Sequence, residues 1–382
     1  MRDVGKTGAW LHVHCASLGE FEQGAEVISA LRNRQPQRPI LLTFFSPSGV
    51  EGVSAEEADH IDYLPFDLPG AMNRFARSLD IEDTILVKYE LWPGLIRGLH
   101  RNGVRIHLVA SRFDHHRHPL NRFGFLVRKS MRLLSSIQTQ DTSSQQALKD
   151  WNFESLTTGD PRVDRVHRIC IAPPPQEIHT ALDAIEQWAA GRNILVVGSA
   201  WPPEWNTVKA ILEGHSDWCA LVAPHEVHSQ HAREWGAQDG VVQLSEWTGA
   251  SLDFAPPNAV MIVDRLGVLK YAYRLGAFAV IGGGWGKGVH NTLEAAVYGL
   301  PVLFGPAIAG FREIDALIEA GAAQACLQPG ALVEQARSWM TQADKRIEAG
   351  KAAAQWTQGQ SGAADRIADV LLSASVGGNQ TA

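Results

Sequence analysis

Short apolar runs alternate with helical stretches along most of the chain. In the first half, residues 10–15, 39–44, 84–88 and 105–110 read as strands, with further extended sequence at 62–65, 136–140 and 155–158. Helical sequence fills the gaps at 19–31, 71–79 and 91–101, and a basic helical segment covers 119–134. This rhythm predicts mostly parallel sheets with helices on both faces. Ile171-Ala172-Pro173-Pro174-Pro175 is the clearest break, placing a linker at 169–176 between a first domain, 1–168, and a second, 177–372. The rhythm restarts with strands at 193–198, 220–223, 259–263, 277–281 and 302–304. Helices from 331 to 372 finish the fold, the last placed to pack back across the first domain, and 373–382 reads as a frayed tail. The expected architecture is α/β, two Rossmann-like doubly wound domains facing a central cleft, with ligands at the carboxyl ends of the strands.

The stretch 278–306 stands out within this pattern. After the buried-strand run Phe278–Ile281, Gly282, Gly283, Gly284, Gly286 and Gly288 form a loop whose backbone a ligand can approach. A helix is expected from His290 or Asn291, with Glu294 on its first turn, Gly299 ending it and the next strand after Pro301. Such a loop running into a helix start suits a phosphate, although a tight turn needing glycine is the plainer alternative. Glu294 on the first turn can take both hydroxyls of a ribose, the plainer alternative being an acid that merely complements the helix dipole. Walker A fails, because Gly288 follows Lys287, and the dinucleotide fingerprint fails because Lys287 stands where its third glycine belongs.

Composition narrows the class. At 382 residues, two domains are the default, and 45% hydrophobic with 20% charged residues is ordinary for a soluble globular protein. A net charge of −7 argues against a general nucleic-acid binder. Cys15, Cys170, Cys219 and Cys326 are widely spaced, implying a reducing compartment with neither disulfide frame nor zinc site. No run approaches a membrane span, and strand-like sequence begins too early for a signal peptide, which leaves open a loss upstream.

Five motifs, read in order, carry a resemblance: Ala16-Ser17-Leu18-Gly19-Glu20, Tyr63-Leu64-Pro65-Phe66-Asp67-Leu68-Pro69, Glu90-Leu91-Trp92-Pro93, Gly159-Asp160-Pro161-Arg162-Val163-Asp164 and His290-Asn291-Thr292-Leu293-Glu294. Over about residues 10–320 the chain resembles the Kdo transferases, which move 3-deoxy-D-manno-octulosonic acid (Kdo) from CMP-Kdo onto lipid A precursor in lipopolysaccharide synthesis. The resemblance implies a GT-B fold and an inverting reaction at the cytoplasmic face of the bacterial inner membrane. It makes Glu20 the catalytic base, a role that suits a carboxylate positioned to take a sugar hydroxyl's proton. Asn291 and Glu294, with Thr292 and Leu293 between them and Gly283 and Gly284 before them, match the nucleotide site. Pro224 and His225 align with a Pro-Arg pair, and Leu266, Gly267 and Val268 with a Met-Gly-Glu segment of which only the glycine survives. Lys88 replaces the first glutamate of Glu-Thr-Glu-Leu-Trp-Pro and leaves Glu90 alone. Arg162 stands where lysine is common; Lys88 or Arg162 would offset the leaving phosphate or the donor carboxylate. A monophosphate leaving group carries less charge than a diphosphate, so metal-independent transfer is expected. The N-terminal anchor usual in the family is not seen, implying either a truncated chain or docking by surface charge.

The remaining signals are less specific. Arg112, Arg117, Arg122, Arg128, Lys129 and Arg132 make a basic island suited to lipid phosphates and an anionic membrane surface, or simply a solvated helix face. His115, His116 and His118 lack the acid or cysteine that would complete a metal site. His225-Glu226-Val227-His228 fails the zinc-protease pattern, which needs histidine where Ser229 stands. The loop of Ser199 and Glu204 is read equally well as cleft lining or as turn chemistry. Trp92 reads as core rather than acceptor lining. The alternatives in function are a GT-B relative using a UDP-sugar, such as a lipid-linked glycosyltransferase or a UDP-sugar epimerase, and a nucleotide-binding homologue without turnover.

Overall fold

The computed structural model describes residues 9–114, 119–121, 124–247, 259–308 and 310–377. The chain forms two compact units, residues 1–165 with 360–382, and residues 166–359.

In the first unit, β1 (Trp10–Cys15), β2 (Ile40–Phe44), β3 (His60–Tyr63), β4 (Ile81–Val87), β5 (Arg105–Ser111), β6 (Ser136–Thr139) and β7 (Leu156–Thr157) form one sheet in the order β3-β2-β1-β4-β5-β6-β7. Every pairing is parallel, with Val13 of β1 opposite Leu42 of β2 and Ile85 of β4. The second unit repeats the plan with β8 (Asn193–Ala200), β9 (Trp218–Pro224), β10 (Val241–Gln243), β11 (Val260–Ile262), β12 (Phe278–Ile281), β13 (Val302–Phe304) and β14 (Ala323–Ala325), ordered β10-β11-β9-β8-β12-β13-β14. Helices cover both faces of such sheets, so central strands read as continuous apolar runs; β9 is buried along its whole length.

In each unit the order reverses beside the first strand: between β1 and β4, and between β8 and β12. Loops leaving those strand ends diverge and open a crevice, where doubly wound sheets bind ligands. The loops concerned begin at Ala16, Lys88, Trp201 and Gly282.

Four expectations are revised. Residues 360–372, assigned above to the second domain, belong to the first unit: helix Ala363–Gly377 buries Ala364, Ile367, Ala368 and Leu371 in the same apolar cluster as Val27, Ile28 and Leu31. The expected linker 169–176 narrows to residues 172–175, since helices Pro161–Ile171 and Gln176–Ala189 take its two ends. Within 119–134 the helix spans Phe125–Met131 only. The helix after the glycine loop is also short, Leu293–Ala296, because the Asn291 side chain accepts the Leu293 N–H at 3.1 Å and turns the chain before it.

Candidate active site

The first crevice gathers charge. Helix Leu18–Arg34 begins three residues after β1 ends at Cys15, with Ser17 extended at its N-cap and Glu20 in its first turn. The Ser17 hydroxyl donates to Glu20 Oε2, and Lys88 Nζ lies 3.8 Å from Glu20 Oε1. Glu20 and Lys88 are 68 positions apart in sequence and meet because β1 and β4 are neighbours. Lys88 holds φ at 69°, the left-handed region, while its N–H donates to Val109 O at 2.8 Å. A non-glycine residue pays for that conformation in strain, which structures tolerate mostly at functional sites. Glu20 keeps about a fifth of its side chain in solvent, so its carboxylate is both positioned and reachable.

Glu90 is a different carboxylate. It is buried, accepts the Trp92 indole N–H at 2.6 Å and lies 3.4 Å from His14 Nε2. His14 in turn places Nδ1 at 2.9 Å from the Thr43 hydroxyl and 3.1 Å from its carbonyl. Both glutamates act on Cys15 beneath them: burial first, then Glu20 and Glu90, push that thiol well above its ordinary range, so it is held as a neutral packing group. Arg162 turns its guanidinium onto Asp160, with Nε at 2.8 Å and Nη2 at 2.6 Å from the same oxygen. Expected as a free counter-charge, it is an ion-paired one. Trp92 is partly exposed, its ring 5.4 Å from that of Phe45.

The second crevice is built from backbone and rings. Added Cβ atoms at Gly282, Gly283 and Gly284 would fall 2.1 Å from Ser199 O, 2.3 Å from Gly288 O and 2.3 Å from Gly305 N. These glycines therefore serve close backbone packing, with φ of +90° at Gly283; the open backbone expected for a ligand is left at Gly286, whose nearest neighbour is 3.9 Å away. Behind the loop, Glu204 is fully buried. Its carboxylate accepts the Trp201 and Gly283 N–H groups, each at 3.0 Å, and is also bonded by the backbone of Gly284. Burial still outweighs these bonds and raises its pKa. Of the two readings of this loop, turn chemistry is the one Glu204 serves.

In front, three rings stack. Trp201 and His225 lie 4.4 Å apart and nearly parallel, and His225 and His290 also 4.4 Å apart. Burial, then His225, lowers the His290 pKa. An indole N–H only donates, so the 3.2 Å contact from Trp201 Nε1 makes His290 Nε2 the acceptor and leaves the proton on Nδ1. Lys287 Nζ sits 5.1 Å from the centre of the Trp201 ring.

Of the other residues expected at a nucleotide site, Asn291 Nδ2 donates to Glu294 Oε1 at 3.2 Å, so these two side chains meet. Thr292 and Leu293 are buried between them. The four-residue helix gives little dipole, and Glu294 is oriented by Asn291 instead. Pro224 ends β9 in the interior, Val268 is buried, Leu266 is exposed and Gly267 takes φ of 80°. Sequence reading passed over Trp201, Lys88's partnership with Glu20, and His14. A tryptophan followed by two prolines was the available signal for the first; nothing in the sequence marks the pairings.

The basic island is partly structural. Arg128 lies over the Trp151 ring at 4.2 Å and donates to Pro119 and Asn121 carbonyls, and Arg132 lies over Phe153 at 5.1 Å. His115, His116, Arg117, His118 and Arg122 lie outside the described residues. Among the described residues no group of three histidine, cysteine or acidic side chains is placed to hold a metal, and no helix is long and apolar enough to cross a membrane.

A family model described as 3-Deoxy-D-manno-octulosonic-acid transferase (kdotransferase) matches residues 2–165. Similarity runs on through the second unit: a 3-deoxy-D-manno-octulosonic acid transferase of Bordetella pertussis is 27% identical over 94% of this chain and 86% of its own length. Along most of its length, then, the chain is similar to Kdo transferases. Another Kdo transferase, from Haemophilus influenzae, is 24% identical over the same shares of the two chains. Among solved structures, a putative UDP-N-acetylglucosamine 2-epimerase from Listeria monocytogenes superposes with a TM-score of 0.63 at 14% identity, covering 96% of each chain. MurG from Acinetobacter baumannii gives 0.59 at 14% identity, covering 96% of this chain and 100% of its own. These likenesses establish the fold, α/β of the GT-B type with a parallel seven-stranded sheet in each unit. Within the Kdo transferase pattern, the structure puts Lys88 against the candidate base and His225 inside a ring stack, so both departures fall at the two crevices.

Proposed function

We propose that this protein is an inverting glycosyltransferase that moves Kdo from CMP-Kdo onto a lipid A precursor at the cytoplasmic face of the bacterial inner membrane, without a metal. The observation that carries the reading is Glu20: a partly exposed carboxylate at a sheet-reversal crevice, oriented by Ser17 and flanked by Lys88. The family match over residues 2–165 supports it. Glu20 takes the proton of the acceptor hydroxyl as that oxygen bonds to the Kdo anomeric carbon. The bond from that carbon to the phosphate oxygen breaks on the opposite face, and CMP departs with the electron pair. Lys88, 3.8 Å from Glu20, offers a cation to the developing negative charge. In the second unit, Glu294, steadied by Asn291, takes the ribose hydroxyls, with Pro224, His225, the 266–268 turn and Gly283–Gly284 around the nucleotide. Lys129, on the helix Phe125–Met131, contributes to docking on anionic lipid.

The test is a transfer assay with CMP-Kdo generated in situ and a lipid A precursor, wild type beside Glu20→Gln. The expected result is product from wild type and a loss of about 10³-fold in the variant, the scale of a general base. Chelator should leave the wild-type rate unchanged; a loss restored by magnesium sinks the metal-free mechanism. Thermal protection by UDP but not CMP would turn the reading towards a UDP-sugar enzyme.

A further inference from the structure

The second unit holds a cavity of about 210 Å³ that shares only Gly283 with the nucleotide-site residues above. Trp201, Pro203, Glu204, Trp285, Gly286 and Lys287 line it, at the reversal between β8 and β12. Its volume falls short of the roughly 300–1,000 Å³ of a complete small-molecule site, so it suits one ring of a larger ligand.

The walls say which kind of ring. Trp201, on which His225 already stacks, Trp285 and Pro203 give the cavity apolar walls, which match the C–H face of a sugar or the plane of a base. Glu204 offers the ligand no acceptor, because its carboxylate is occupied by the N–H groups of Trp201 and Gly283 and is fully buried. Lys287 is an exposed cation whose described contact is the Trp201 face, with no ion-pair partner among the described residues. The Trp285 indole N–H is buried with no acceptor among them. A bare phosphate would satisfy the lysine and leave the indoles uncovered; a neutral base would do the reverse. A ring with both an apolar face and a carboxylate satisfies both.

We propose that this cavity is the subsite for the carboxylated sugar of the donor. The Trp201 and Trp285 faces cover the ring, and Lys287 pairs with the carboxylate. The assignment rests on the Kdo-transfer reading and adds three residues to it, none of them among the motif positions of the resemblance. It also gives the Gly282–Gly288 loop a task other than cradling phosphate.

Saturation-transfer NMR tests it, with CMP titrated first and free Kdo titrated at saturating CMP, on wild type, Lys287→Met and Lys287→Arg. Lys287 is exposed, so the methionine variant should fold; its thermal transition is checked against wild type. Expected is CMP affinity within twofold in all three, Kdo binding at least tenfold weaker in Lys287→Met, and most of it restored in Lys287→Arg. Weaker CMP with unchanged Kdo would assign the lysine to the nucleotide phosphate and overturn the subsite. Unchanged binding of both would overturn it too. A wild-type chain that binds neither ligand brings down the Kdo reading itself, and the subsite with it.

Discussion

Each unit places a glutamate just beyond its first central strand, and the two have opposite fates. Glu20 follows β1 and keeps about a fifth of its side chain in water, beside a lysine and a hydroxyl. Glu204 follows β8, is fully buried and is occupied by backbone N–H groups. The same topological position leaves a carboxylate within reach of solvent in one unit and builds it into the architecture in the other. What differs is the facing loop: Lys88, just after β4, brings charge, whereas Gly283 and Gly284 bring backbone N–H groups that the buried carboxylate accepts. The sheets differ in the same sense. Fully buried polar strand residues, His12, His14, Thr43, Asp83, Thr84, His107, Ser111, Gln138 and Thr139, all belong to the first unit; no β8–β14 residue appears among the buried polar side chains described.

Exchanging the two losses should separate the roles. Glu20→Ala is expected to abolish transfer by about 10³-fold while leaving the unfolding transition within a degree or two, because a partly solvated side chain leaves no buried donor behind. Glu204→Ala should do the reverse. It orphans at least two buried N–H groups, each costing about 1–3 kcal/mol, so a total of about 3 kcal/mol is expected in urea unfolding. Burial raises the Glu204 pKa, so its ionisation opposes folding as pH rises from the unfolded value towards the folded one. A Glu204→Ala protein as stable as wild type would break the comparison.

The glycine loop gives a smaller effect. Gly283→Ala meets Gly288 O at 2.3 Å and must hold φ near +90°. A loss of about 2 kcal/mol is expected, read as a lower thermal transition, with CMP affinity falling only as the loop shifts. Gly286→Ala, with open space at its Cβ, should be stable. If both variants are equally stable, the packing role assigned to this loop is wrong.

Most of the fold was legible because parallel strands covered on both faces are runs of apolar residues, as at Phe278–Ile281. Val241–Gln243 and Ala323–Ala325 were not, since three residues at a sheet edge carry too little pattern to read. The last helix was expected to pack back across the first domain, and Ala363–Gly377 does so, but its apolar stripe does not name the partner element, here helix Leu18–Arg34. The site was legible where a motif is local, as in Asn291 and Glu294, which do meet. It was not where strand order makes the contact: Lys88 reaches Glu20, and His14 reaches Glu90, through neighbours in the sheet. Glu204 was ambiguous because the amides that claim it come from the facing Gly282–Gly284 loop, 79 positions on for Gly283.

The polar interior of the first sheet supplies the last and smallest test. His12 is completely buried, with Nε2 at 2.8 Å from the Thr43 hydroxyl, Nδ1 at 3.2 Å from that of Thr84, and the Phe75 ring 5.1 Å away. Burial first, then the neighbouring His14, pushes its pKa well below the ordinary range, so the folded chain holds it neutral. The unfolded chain protonates it below about pH 6.5 and therefore binds more protons there. Stability must fall as pH drops through that value, by about 1.4 kcal/mol per unit from this group alone until the folded pKa is reached. His12→Gln keeps a hydrogen-bonding side chain without the charge. Its deficit relative to wild type, measured by urea unfolding of the first unit, should shrink from pH 7 to pH 5. Parallel curves would mean that His12 is protonated within the fold, and that the polar ladder of β1 and its neighbours carries a charge rather than a chain of neutral hydrogen bonds.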